Sequence, residues 1–318
     1  MKTEEKPQHA IEFIIFLEKR GKRPATVKRY RYDLEDFLAW IRVNELTYID
    51  GRVYTSEFVQ SYFDYLAHER EYSFRTIKRV YSVLKQYYHY LTDQRVIPEN
   101  PLNGIKINVL EKEYFTEDMF VTEGETAQLL ETMSSEKGLT ENQLKAHPYL
   151  APRNVSIISL MLNYGLSLQD IVSMDIRHVS FIQKQIVVRS SNGQLDRHID
   201  IDGEIANGLY RYYQLIPEAV RPAQYHSDPL FVAFDFQRLT YRWSYEEDRP
   251  KRLTEIAIQK MIRQEVERSG LRKGISGQHF RRTAILKAIQ SEEKPETIQQ
   301  RFGLKTPLTL NRFYEYLN

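Results

Sequence analysis

The spacing of apolar residues in the first hundred positions constrains the fold most strongly. These residues recur at helical intervals in four stretches, separated by Gly, Pro, Ser or Thr, which cover 10–20, 26–41, 56–66 and 73–91. Each stretch presents one apolar face, and such a face is stable only when it packs against other helices. The sequence therefore predicts a small helical bundle, with Thr26 capping its second helix.

Beyond this bundle the pattern predicts a second domain. Pro98 and Pro101 interrupt the helices, and a polar strip follows them. We expect domains at 1–107 and 122–318, joined by a linker at 108–121. The second domain reads as mostly helical, with one hairpin whose arms, 186–188 and 198–201, flank a turn at 191–193. The predicted fold class is mainly α with a small β-sheet (α+β).

Composition excludes several classes of function. The 318-residue chain has no cysteine, so disulfides, thiolate zinc sites and cysteine nucleophiles are excluded. The polar amino terminus is not a signal peptide, and no apolar run is long enough to span a bilayer. We expect a cytoplasmic, nucleoid-associated protein without a metal or cofactor. The aspartates at 196, 200 and 202 are interpreted as a solvated face.

Four short motifs, taken in order, carry a family resemblance. They are the helix at 76–88, the sequence Leu-Asn-Tyr-Gly-Leu at 162–166, Arg-Arg-Thr at 281–283 and Phe-Gly at 302–303. In this order they resemble the tyrosine recombinases, which include phage integrases and Xer-like resolvases. The resemblance implies an N-terminal helical core-binding (SAM-like) domain and a C-terminal catalytic-type domain. The chain is most similar to integrase-fold phage repressors.

The resemblance also identifies the positions at which the family holds its catalytic groups. Recombinases use two arginines, a hairpin lysine, two histidine-type residues and a nucleophilic tyrosine. Here those positions hold Ser167, Ser191 or Asn192, Gln278, Leu304 and Phe313, and only Arg281 is retained. Tyr314 follows Phe313, but a shift of one residue turns a helical side chain by about 100°. Because each lost group commonly costs roughly 10²–10⁴ in rate, we expect a catalytically inactive homologue.

Basic side chains are concentrated in the segments that the family uses to bind duplex DNA. The near-balance of 45 Lys+Arg against 43 Asp+Glu hides this segregation. Arg75, Gln278 and His279 are candidates for reading bases. Solvated surface is the alternative for the helical rows, and a buried arginine paired with a carboxylate is the alternative for Arg281. The predicted DNA-binding residues are Lys28, Arg29, Arg75, Lys78, Arg79, Lys85, Arg272, Lys273, Gln278, His279, Arg281 and Arg282.

The sequence thus favours a sequence-specific DNA-binding protein without strand cleavage, acting as a repressor of a prophage (in lysogeny) or of a mobile element. Two alternatives stay open: a divergent active recombinase that uses Tyr314 and Arg281, and an accessory factor for a recombinase. Only four residues follow Tyr314, whereas relatives continue into a helix that docks on the next protomer. We therefore expect a monomer or weak dimer on its operator, with a phage regulatory protein as a further candidate partner.

Overall fold

The structure is a computed structural model that describes residues 7–22, 24–44, 55–105, 114–189 and 196–318. It divides into two compact units, Met1–Lys112 and Glu113–Asn318. Within the predicted linker, Phe115, Phe120 and Val121 are buried in the apolar clusters of the second unit. The predicted linker at 108–121 therefore overlaps the start of the second unit.

The N-terminal unit has the four helices that the apolar spacing predicts: α1 (Gln8–Lys19), α2 (Pro24–Val43), α3 (Ser56–His68) and α4 (Phe74–Asp93). The second helix begins at Pro24 rather than after Thr26, because proline fits the first turn of a helix. Thr55 and Ser73 cap α3 and α4 by accepting hydrogen bonds from backbone N–H groups. Aromatic rings fill the centre, with Phe37 and Tyr62 4.8 Å apart.

The C-terminal unit is also mainly helical. Its helices are α5 (Glu123–Ser134), α6 (Glu141–Tyr164), α7 (Leu168–Ser173), α8 (Gly203–Leu215), α9 (Glu255–Arg268), α10 (Gly277–Gln290), α11 (Pro295–Phe302) and α12 (Asn311–Leu317). Helix α6 contacts α5, α8 and α10, and its residues 157–162 are buried. Gly165 ends it with φ +60°, and a Cβ at this position would collide with the Phe302 ring. Glycine is therefore required here for both conformation and space.

The turn predicted at 191–193 lies outside the described residues, and the two predicted arms pair within a three-stranded antiparallel sheet. Its strands are β1 (Val179–Ser180), β2 (Gln185–Val188) and β3 (Arg197–Asp200), with Ile186 opposite Ile199. The prediction of only one small sheet is wrong. Two further ribbons, β4 (Phe234–Asp235) with β5 (Thr240–Tyr241) and β6 (Trp243–Ser244) with β7 (Arg249–Pro250), lie between α8 and α9, where the sequence pattern predicts no strand. Strands of two residues are too short to show an alternating pattern.

Two kinds of feature are absent from the part of the chain that the structure describes. None of its helices has the length and apolarity needed to cross a bilayer. None of its His, Asp and Glu side chains forms a group of three that could hold a metal ion.

Candidate DNA-binding and catalytic-type site

The position of the first family arginine lies at the junction between α6 and α7. Ser167 is the N-cap of α7, and its Oγ accepts a hydrogen bond from the Asp170 N–H at 3.2 Å. The Asp170 carboxylate in turn accepts from the Ser167 N–H at 2.8 Å and from its Oγ at 2.7 Å. Ser167 and Asp170 thus form a capping box, which satisfies the donors at the start of α7.

Arg281, the retained arginine, projects from α10 toward the ends of two other helices. Its guanidinium donates to the carbonyl oxygens of Gly165 and Phe302, and its Nη1 lies 3.9 Å from Asp170 Oδ2. The side chain is 16% exposed. Burial lowers the pKa of Arg281, which Asp170 partly offsets. The guanidinium therefore joins the ends of α6 and α11 through these two carbonyl groups.

A second arginine, Arg197 at the start of β3, reaches the same carboxylate. Its Nη2 donates to Asp170 Oδ1 at 2.7 Å and its Nη1 to the Arg301 carbonyl at 3.2 Å, and the side chain is 11% exposed. The sequence alone does not identify Arg197 as a site residue. Its position beside the hairpin turn does not show that it contacts Asp170, which is 27 residues away in sequence. Arg197 and Arg281 share Asp170, so one carboxylate faces two guanidinium groups.

Gln278 stands where the family has its first histidine, and His279 follows it directly. Gln278 is exposed near the start of α10. The adjacent His279 is half-buried, and its Nδ1 lies 3.2 Å from the Ser276 backbone nitrogen that donates to it. Burial lowers the pKa of His279, and Arg282 and Arg272 lower it further. We therefore expect a neutral imidazole at pH 7, which adds no positive charge for a phosphate.

The positions of the second histidine and of the nucleophile are apolar and buried. Leu304 and Phe313 belong to one cluster, in which the Phe313 and Phe115 rings lie 4.7 Å apart. Tyr314 is half-buried against the same cluster. Neither Leu304 nor Phe313 carries a group that can transfer a proton or attack phosphorus. Ser191 and Asn192, the candidates for the lysine position, lie outside the described residues.

A cleft of about 840 Å³ opens beside Ser167 and Arg281 in the C-terminal unit. Ser167, Gln278 and Arg281 line it together with Lys273 and Arg263. Its wall also includes Glu255 and Glu267, so the charge of the cleft is mixed. Of the predicted DNA-binding residues, Lys273, Gln278 and Arg281 line this cleft.

The other predicted cations of the C-terminal unit have partners within it. Arg272 donates to Glu125 at 2.8 Å and to the carbonyl oxygens of Asp118 and Phe120. It therefore ties the segment before α5 to the end of α9. The Arg282 guanidinium lies over the Phe115 ring, 5.4 Å from its centroid.

The N-terminal unit holds the remaining predicted cations, of which Arg79 differs from the rest. Arg79 pairs with Asp33, whose side chain is 8% exposed, and Arg29 lies 3.7 Å from the same carboxylate. The pair joins α4 to α2. Lys28, Arg29, Arg75, Lys78 and Lys85 are exposed on these two helices. A role in DNA binding stays a prediction for all of them.

Comparison with known proteins adds relatives over most of the chain. A protein from Caldanaerobacter subterraneus that is provisionally named a tyrosine recombinase is 29% identical over 233 residues, which cover 72% of this chain and 71% of that protein. Tyrosine recombinase XerC of Anoxybacillus flavithermus is 22% identical, with 87% of this chain and 82% of that protein covered.

Solved structures share the fold. The Tn1549 transposon integrase in complex with a circular intermediate DNA matches with a TM-score of 0.69 at 16% identity, covering 96% of this chain and 94% of that one. XerH recombinase bound to its difH substrate matches with a TM-score of 0.67 at 14% identity, covering 98% and 87%. The model of the phage integrase family matches residues 120–317, and that of the phage integrase N-terminal SAM-like domain matches 11–97. The expected fold is thereby confirmed, and the chain belongs to the phage integrase family of tyrosine recombinases.

Proposed function

We propose that this protein binds double-stranded DNA at specific sites without cleaving it, and that it represses transcription of a prophage or another mobile element. The two similar solved structures are DNA complexes, which supports duplex DNA as the ligand. A protein that occupies a site without cutting it acts by excluding other proteins from that site. Repression is the direct outcome when the site overlaps a promoter.

The arrangement of Arg281 carries the proposal that cleavage is absent. A phosphate-gripping arginine needs donors that point at the non-bridging oxygens. In this chain the Arg281 guanidinium donates to the carbonyl oxygens of Gly165 and Phe302. Ser167 and Leu304 supply no cation at two of the other family positions, and Phe313 supplies no nucleophile at the position of the tyrosine.

The proposal is tested with purified protein in two steps. Sequencing of genomic fragments that the protein retains identifies its binding site, and a mobility-shift assay then measures its affinity. A nicked suicide duplex of that site, on which a cleaved strand cannot be religated, should give a salt-sensitive complex and no covalent adduct. A phosphotyrosyl adduct that is lost in Tyr314→Phe would establish an active recombinase instead. Specific binding that appears only with a partner recombinase would favour an accessory factor.

The exposed lysine of the α4 row provides a test of the DNA interface. Lys78→Ala should weaken binding to all duplex sequences and lower the slope of log K against log salt by about 0.9, since one phosphate contact is lost. Affinity measured at several salt concentrations checks this. Lys145→Ala, which removes an exposed lysine outside the predicted set, is the matched control. An unchanged slope in Lys78→Ala would exclude Lys78 from the interface.

A further inference from the structure

A buried arginine of α6 has no evident role in the site described above. Arg153 is 5% exposed in the C-terminal unit. Its Nε and Nη2 donate to Asn154 Oδ1 at 3.1 and 3.0 Å, and its Nη1 donates to the Val232 carbonyl at 2.9 Å. These acceptors are all neutral, so the positive charge is not balanced by them.

No carboxylate of the described residues lies within ion-pair distance of Arg153. Three of its five N–H groups have an acceptor in that part of the chain, which leaves two without one. Burial lowers the pKa of Arg153, although arginine keeps its charge in proteins. A buried cation without a counter-charge destabilises a fold. An anion that binds from solution and pairs with Arg153 would remove this cost.

Arg153 lines a cleft of about 620 Å³ that is separate from the catalytic-type site. The exposed cations Arg242, Lys251 and Lys260 also line it. Arg242 and Lys251 stand on adjacent backbone segments, since the Lys251 N–H donates to the Arg242 carbonyl at 2.8 Å. The three exposed cations therefore line the same cleft as the buried Arg153.

The lining contains little to neutralise this charge. Among the described residues that line the cleft, Glu265 is the only acid, and Arg268 binds it at 2.6 Å. Another lining cation, Arg252, already pairs with Asp175 at 2.7 Å. Apolar groups make up much of the remaining wall: Leu150, Ala151, Phe234, Phe236, Leu253 and Met261. The lining of the cleft thus combines three exposed cations, apolar side chains and a buried hydrogen-bond donor.

We propose that this cleft binds a small organic oxyanion, a carboxylate or a phosphate ester, whose charged group pairs with Arg153. The volume is in the range of small-molecule sites, and the apolar wall fits a hydrophobic portion of the ligand. A duplex is the less suitable occupant, because Arg153 as a whole residue is only 5% exposed and phosphates on a helix of DNA cannot enter a cleft to reach it. A small molecule can enter the cleft and complete the pair.

The experiment uses the full chain without DNA and two simple probes, benzoate and phenyl phosphate, with neutral benzamide as the control. Calorimetry and thermal unfolding measure binding. We expect saturable binding of at least one oxyanion and no binding of benzamide, and the better probe identifies the head group. Binding of neither oxyanion, or equal binding of benzamide, would overturn the proposal.

Variants locate the site. Arg153→Gln should weaken the preferred probe by about 30-fold or more, since it removes the buried partner of the charge. If this variant does not fold, the double variant Lys251→Gln/Lys260→Gln on the exposed rim should weaken it by about 10-fold, from roughly 3-fold per charge, with unchanged unfolding temperature of the free protein. Lys145→Gln, on α6 but outside the cleft, should bind the probe normally. Unchanged affinity in Arg153→Gln or in the rim variant, or displacement of the probe by duplex DNA, would refute the assignment.

Discussion

Arg281→Ala should lower the free energy of unfolding of the C-terminal unit by about 3 kcal/mol, because two buried carbonyl groups lose their donor and a largely buried ion pair with Asp170 is lost. In a unit of this size that corresponds to a fall of roughly 6–12 °C in the unfolding temperature. Calorimetry or chemical denaturation of the purified variant measures the change.

Lys287→Ala on the same helix is the control for Arg281→Ala. Lys287 is exposed and lies 3.4 Å from the exposed Glu123, so its loss should cost less than about 1 kcal/mol. The opposite pattern, in which Arg281→Ala keeps its stability and loses only DNA binding, would contradict the structural role of Arg281. That result would instead support the predicted role of Arg281 in DNA binding.

Arg79→Ala should destabilise the N-terminal unit by about 2–3 kcal/mol, since it leaves the buried Asp33 carboxylate with only the more distant Arg29. The figure lies below the roughly 3–5 kcal/mol of a fully buried pair because Arg79 itself is 30% exposed. Lys78→Ala, one residue away and exposed, should leave stability unchanged. Urea denaturation in a Trp243→Phe background, followed by the fluorescence of Trp40, separates the two variants, because Trp243 lies in the C-terminal unit.

A second substitution tests the cause of this loss. Asp33→Asn should recover much of the stability in the Arg79→Ala background, because it removes the carboxylate that has lost its partner. In the wild-type background the same change should destabilise, since it leaves Arg79 without its counter-charge. Additive effects of the two changes would show that Asp33 and Arg79 are not coupled.

The sequence predicted those parts of the fold that depend on local, repeated signals. The four helices of the first unit follow from apolar spacing, and Gly165 identifies the end of α6. The Asp33–Arg79 and Arg197–Asp170 pairs could not be predicted, because their partners are 46 and 27 residues apart in sequence. A basic row on a helix does not show which of its members faces a buried carboxylate.

In the candidate site, too, contacts between residues that are distant in sequence could not be predicted. The motifs pointed to Ser167 and Arg281, and the two residues line one cleft. The second guanidinium was missed because Arg197 comes from the sheet. The ribbons β4–β7 were missed because their strands are two residues long and their register depends on contacts with the rest of the unit.

The capping box at Ser167 also bears on how readily this site could change in evolution. Ser167→Arg would remove the side chain that caps α7, at a cost of about 1 kcal/mol. It would also bring a third guanidinium to a carboxylate that already faces Arg197 and Arg281. The substitution alone should therefore destabilise the C-terminal unit, so an arginine at position 167 would require further changes around Asp170.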